Sequence, residues 1–253
     1  MNTTKKTLLA AALLLSSVSS FSATQLNFDG ITYGNNSGNI TIYSPTTTDP
    51  LNPLHKAQSD IYVGEFKMKN MSTLQIYETF CLSPQGWLAS EPYNLLTFEQ
   101  AKPGSNPAGL WSAGAIENVS YLWYNVHASV DNNDEGAALQ LAIWDLLFDS
   151  SGIGSVNGNL DNGRFKAKWD NGASIGNGIL TAYNSYITTL TSAGAATISS
   201  FYASHPGSVF RPADGSGQDV IVSTPVPEPA TVVAGTVLAG LVLGTALRRK
   251  LNS

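Results

Sequence analysis

Two residues of this chain have the types needed for covalent chemistry with each other. Cys81, in YETFCLSPQGW, is the only cysteine among 253 residues. Gln140, in LQLAIWDLLF, stands inside an apolar segment. On a helix turning about 100° per residue, Gln140 falls between Leu147 and Trp144, away from Asp145 and the polar stripe. An amide held in such an apolar arc costs roughly 1–3 kcal/mol if its hydrogen bonds go unmade. One explanation is ordinary: the side chain bonds a loop backbone. The other is chemical: a thiol has attacked its carbonyl, ammonia has left, and a thioester remains. Cys81 has its own plain reading as a small buried hydrophobe.

The elements that must carry these residues divide by position along the chain. QLNFDGITYG, GNITIYS, SDIYVGEFKMKN and TLQIYETFCLS are short, β-branched and aromatic, and punctuated by Asn, Gly, Pro and Thr, which predicts strands. In TLQIYETFCLS the period of two sets Ile76, Phe80 and Leu82 on one face and Tyr77, Thr79 and Cys81 on the other, less apolar one. Helices follow. SAGAIENVSYLWYNVHASV repeats Ile116, Val119, Leu122, Trp123 and Val126 at helical spacing, NDEGAALQLAIWDLLFDSSG has an acidic start and an apolar body, and GNGILTAYNSYITTLTSA predicts a third helix. ISSFYASH and QDVIVSTP read as late strands, and GNLDNGRFKAKWDNG, with Asn-Gly at Asn162 and Asn171, reads as a hairpin. The fold class expected is α+β: one domain over 23–224 with a β-rich first half, a helical middle and late strands.

The two ends set the compartment. MNTTKKTLLAAALLLSSVSSFSA has Lys5 and Lys6, an apolar run and small residues before a cleavage position, so 1–22 reads as a secretory signal peptide. At the other end, Pro225, Pro227 and Pro229 define an extended spacer, and 230–247 carries no charge. As a helix that run would be roughly 27 Å long, close to a bilayer's hydrocarbon thickness. Arg248, Arg249 and Lys250 follow as a cytoplasmic stop. The segment 225–253, with Val226, Pro227, Glu228 and Pro229 before the apolar run and basic tail, resembles the PEP-CTERM sorting signal of Gram-negative, exopolysaccharide-producing bacteria. That resemblance implies handling by signal peptidase and an exosortase, a transient inner-membrane anchor, and delivery to the cell surface or extracellular matrix. Without the five basic residues of the two ends, 8 basic residues face 18 acidic ones. Such an acidic chain offers no basic patch for nucleic acid.

FCL on a strand, with LQLAIW on a helix some sixty residues later, resembles the cysteine and glutamine motifs of the thioester domains of bacterial surface adhesins. Phe80 and Leu82 flank the cysteine as that family requires, and Leu139, Ala142, Ile143 and Trp144 fit around the glutamine. By this resemblance Cys81 and Gln140 would form an internal thioester, with Tyr77, Phe80, Leu82, Leu139, Trp144 and Leu147 around it. An amine or hydroxyl of a matrix polysaccharide or surface protein would attack the Gln140 carbonyl once, without turnover. Burial would limit hydrolysis. Two other readings compete: a non-covalent structural or carbohydrate-binding matrix protein, and a secreted cysteine hydrolase. His55, His127 and His205 are scattered and, with one cysteine, make no zinc pattern, so neither metal nor cofactor is expected. DNNDE, Asp131 to Glu135, lacks an EF-hand's spacing and predicts a turn and helix N-cap.

Overall fold

The computed structural model describes residues 23–43, 56–82, 88, 91–105, 111–169, 174–214 and 218–222. The signal peptide expected at 1–22 and the sorting segment expected at 225–253 lie outside them. Among the described residues no helix is long and apolar enough to cross a membrane. Strands and helices are mixed, with a β-rich first half and a helical middle, as the sequence pattern predicts.

The two strands predicted at the start are one, β1 (Thr24–Tyr43), paired antiparallel with β2 (Lys56–Asn70) from Leu26↔Asn70 to Tyr43↔Lys56. Gly34, which closes the first predicted strand, and Gly30 within it both sit at register shifts, between Ile31 and Gly34 and between Phe28 and Gly30. A glycine at a bulge lets the strand bend without ending. From β2 the sheet runs through β3 (Ile76–Cys81), β9 (Val220–Val222), β8 (Ser208–Pro212) and β4 (Glu91–Thr97). β4 then pairs with the start of β1, Thr24↔Tyr93 to Leu26↔Glu91, so the pairings β1-β2-β3-β9-β8-β4-β1 close into an antiparallel ring.

β7 (Lys166–Trp169) pairs with the far end of β1, which corrects the hairpin expected around Asn162. Asp149 is the local reason: its carboxylate accepts the N–H groups of Arg164 at 2.7 Å and Phe165 at 2.6 Å and turns the chain toward β1. β5 (Ser150–Gly152) and β6 (Ser155–Val156) form a small separate pair.

The helices are α1 (Phe98–Ser105), α2 (Ala115–Val126), α3 (Asn133–Asp149), α4 (Asn177–Ala193) and α5 (Ala195–Ser204). α5 overturns the strand expected at ISSFYASH. Ile198, Phe201 and Tyr202 fall on one helical face, Ile198 is fully buried, and Phe201 meets the rings of Tyr121 and Tyr124 on α2 at 5.3 and 5.8 Å. The start of α3 follows expectation. The Asn132 side chain accepts from the Glu135 N–H at 3.0 Å, and Glu135 Oε2 accepts from the Asp131 N–H at 3.0 Å, a variant of the reciprocal cap.

The polar stripe expected on α3 is absent. Every residue from Gly136 to Phe148 is buried, Asp145 included, because α3 packs on β1 and β2 on one side and on α2 and α4 on the other. A helix covered all round sits at the centre of the fold. At Gly136 a Cβ would stand 2.7 Å from the carbonyl oxygen of Tyr33 on β1, so only glycine permits this approach of helix to strand.

Candidate functional site

Cys81 is the last residue of β3, and backbone alternation decides where its hydrogen-bonding groups point. The Leu82 N–H donates to Asp219 O at 3.0 Å, toward β9. The N–H and C=O of Cys81 therefore face the opposite side, toward β2. The β2–β3 pairing stops one step short, at Phe66↔Thr79, and its extension would set Cys81 opposite Gly64. At that point β2 pairs with β1 alone and β3 has an open edge.

Gln140 fills that edge. Its Oε1 accepts the Cys81 N–H at 2.8 Å and its Nε2 donates to the Cys81 carbonyl at 2.8 Å, across 59 residues of chain. The carboxamide thus stands in for the peptide group of a missing strand partner, and both residues are buried, Gln140 at 0% and Cys81 at 3% exposure. The sequence expected a buried amide; the partner is one residue's backbone on a strand end.

The strand alternates as predicted, but its faces differ from the expectation. Ile76, assigned to the apolar face, is half exposed, and Thr79 and Cys81, assigned to the less apolar face, are buried. Both sides are covered at this end. Phe80 stacks edge-on against Trp123 at 5.6 Å, toward α2, while on the other side the ring of Tyr77 meets Phe210 of β8 at 5.0 Å. Of the other residues expected to wall the site, Leu82, Leu139 and Leu147 are fully buried, and Trp144, one turn from Gln140, lies against Phe165 at 6.2 Å. Tyr77 is only partly buried, its hydroxyl donating to Gln75 Oε1 at 3.1 Å on the surface.

Electrostatics set the state of the thiol. Burial pushes the Cys81 thiol well above its ordinary range, so it stays protonated. Among the described residues no histidine or carboxylate hydrogen-bonds it. His205 lies stacked on Phe201 at 4.2 Å, and His127 packs beside Phe80 and stacks on Trp123. His55 lies outside the described residues.

Sequence reading missed two polar groupings. Asp145 accepts the Tyr183 hydroxyl at 2.6 Å between α3 and α4. Glu65 and Glu78 converge on His127 from β2 and β3. Strand register could have found the second, since Lys67↔Glu78 pairing puts Glu65, Glu78 and Phe80 on one face, but only with the pairing in hand. Comparison with known proteins supplies no relative: no family model, curated protein or solved structure matches the chain.

Proposed function

We propose that this chain is exported, sorted through its exosortase-type C-terminal signal, and acts at the cell surface or in the extracellular matrix as an adhesin or matrix component with an internal Cys81–Gln140 thioester. The observation that carries the reading is the pairing itself: the only cysteine and a fully buried glutamine, 59 residues apart, are joined by two hydrogen bonds in the core. In the first step the Cys81 sulfur attacks Gln140 Cδ, the C–Nε2 bond breaks, and the amide nitrogen leaves as ammonia with the thiol proton. In the second, an amine or hydroxyl of a matrix polysaccharide or surface protein attacks Cδ, the C–S bond breaks, and Cys81 regains a proton. The link is then an amide or an ester, formed once per molecule.

Burial acts on both steps. It opposes a free thiolate, yet the thioester carries no charge and so suffers no such penalty, and the dry site protects it from water. The same burial requires local opening before a partner can reach Cδ. A protonated, unassisted thiol is also the opposite of what a cysteine hydrolase uses.

A second reading has its own observation. The paired hydrogen bonds satisfy one Gln140 donor and its acceptor, which accounts for a buried glutamine in a non-covalent structural or carbohydrate-binding protein. Intact mass decides. Full-length protein short by one ammonia, a deficit missing in Cys81→Ala and replaced on methylamine treatment by an adduct at Gln140, is the expected result. A full mass with an alkylatable Cys81, from protein never exposed to nucleophiles, would establish the non-covalent reading instead.

A further inference from the structure

On the face of β3 opposite Cys81, three side chains from three elements meet. His127 Nε2, in the 3-10 turn His127–Ser129 that follows α2, lies 3.6 Å from Glu65 Oε2 on β2 and 3.7 Å from Glu78 Oε2 on β3. One donor atom from each can be chosen so that all lie within 4.8 Å of one another. These distances are too long for hydrogen bonds. The two imidazole–carboxylate distances are close to the roughly 3.3–3.5 Å that separates neighbouring ligands around a tetrahedral ion with bonds of about 2.0–2.2 Å.

The cluster also contains polar atoms with nothing to bond. The Glu65 side chain is 3% exposed, and its Oε1 and the Nε2 of His127 are both buried without a hydrogen-bond partner. A carboxylate so enclosed is costly unless a cation or donor answers it. The imidazole is already aimed. It stacks on Trp123 at 4.0 Å and 21° and abuts Phe80 edge-on, which fixes the direction of Nε2 toward the carboxylates. Glu78 is half exposed and gives the cluster a mouth to solvent.

We propose that Glu65, Glu78 and His127 bind a divalent transition cation of the zinc class, with water or an external oxygen ligand in the fourth position on the Glu78 side. One nitrogen and two carboxylate oxygens suit such an ion, and neutral imidazole is its usual nitrogen donor. The ion would tie the β2–β3 pair to the end of α2, while the Cys81 side chain points to the other face of β3. The site is independent of the thioester reading, because no atom of Cys81 or Gln140 takes part.

The test is calorimetric titration of the full-length chain with zinc alone, beside Glu65→Gln, Glu78→Gln, His127→Gln and Cys81→Ala. Expected are one saturable zinc per wild-type chain, retained in Cys81→Ala, weakened by about tenfold or more in Glu78→Gln, and lost in Glu65→Gln and His127→Gln. Because Glu78 is half exposed, its variant keeps the metal-free melting temperature, so its weaker binding is not a folding defect. Zinc should also raise the melting temperature of the wild type but not of His127→Gln. No saturable binding by the wild type, or zinc binding undiminished in Glu78→Gln and His127→Gln, would overturn the site and leave a metal-free contact of one histidine with two carboxylates.

Discussion

The hydrogen bonds of Gln140 go to the backbone of Cys81, and this separates two roles that the pair could have. Cys81→Ala keeps both bonds and removes only a sulfur from the core, a loss of about 1 kcal/mol if the side chains are otherwise independent. A thioester changes that figure. It would cross-link residues 59 apart, as a disulfide does, and a loop of that length restrains the unfolded chain by roughly 4 kcal/mol on the chain-entropy model. The proposed function therefore predicts that Cys81→Ala loses about 4–5 kcal/mol in denaturant unfolding and that methylamine lowers the wild type by a similar amount. A loss near 1 kcal/mol, with methylamine inert, would remove the cross-link. Gln140→Ala strands the buried Cys81 N–H and C=O, costing roughly 2–5 kcal/mol, and where the cross-link exists it removes that as well, so its loss should exceed that of Cys81→Ala.

At the scale of elements, α3 carries a second buried polar residue whose effect is read through pH. Burial raises the Asp145 carboxyl to about 7, Tyr183 donation opposes that shift, and nearby Asp149 adds to it. A carboxyl raised in the folded state holds its proton more tightly there than in the unfolded chain. Its contribution is complete at acidic pH and declines as pH rises from about 4 to about 7. Asp145→Asn keeps an acceptor for the Tyr183 hydroxyl and removes the titration. It should be more stable than wild type at pH 8, by roughly 4 kcal/mol at most, and lose that advantage near pH 4; unfolding curves with the same pH slope for both proteins would refute this. The sequence placed Asp145 on a polar stripe, since a wheel reports spacing and not how many neighbours a helix acquires. The same distinction explains which elements were legible. α2, α3 and α4 carry their apolar period over a dozen residues or more, whereas α5 is short and looks like a strand through Ile198, Phe201 and Tyr202. β4 and β8 were hidden by Pro92 and Pro212. Gln140 was visible as an amide in an apolar arc, but the strand edge it caps exists only because β2 stops pairing with β3, a tertiary fact.

Across the whole molecule the strand ring depends on its last short strand. β9 joins β3 to β8, its Val220, Ile221 and Val222 are fully buried, and Asp219 beside it accepts from Leu82 N–H and pairs with Arg211 at 2.7 Å. Without β9 the ring opens beside Cys81, two strand edges lose their partners, and the largely buried guanidinium of Arg211 loses its carboxylate, which alone costs about 3–5 kcal/mol. The expected sorting segment begins just beyond, at Pro225. Cleavage near Pro227 would leave every strand of the ring in place, so release from the membrane need not disturb the Cys81–Gln140 contact. A chain ending at Thr224 should therefore melt at the same temperature as the full-length protein, whereas one ending at Gly217 should lose cooperative unfolding and become sensitive to protease. Equal melting of the two truncated chains would mean that β1, β2 and the helices hold the fold without closure. The Cys81–Gln140 pair would then owe its geometry to α3 packing on β1 and β2 alone.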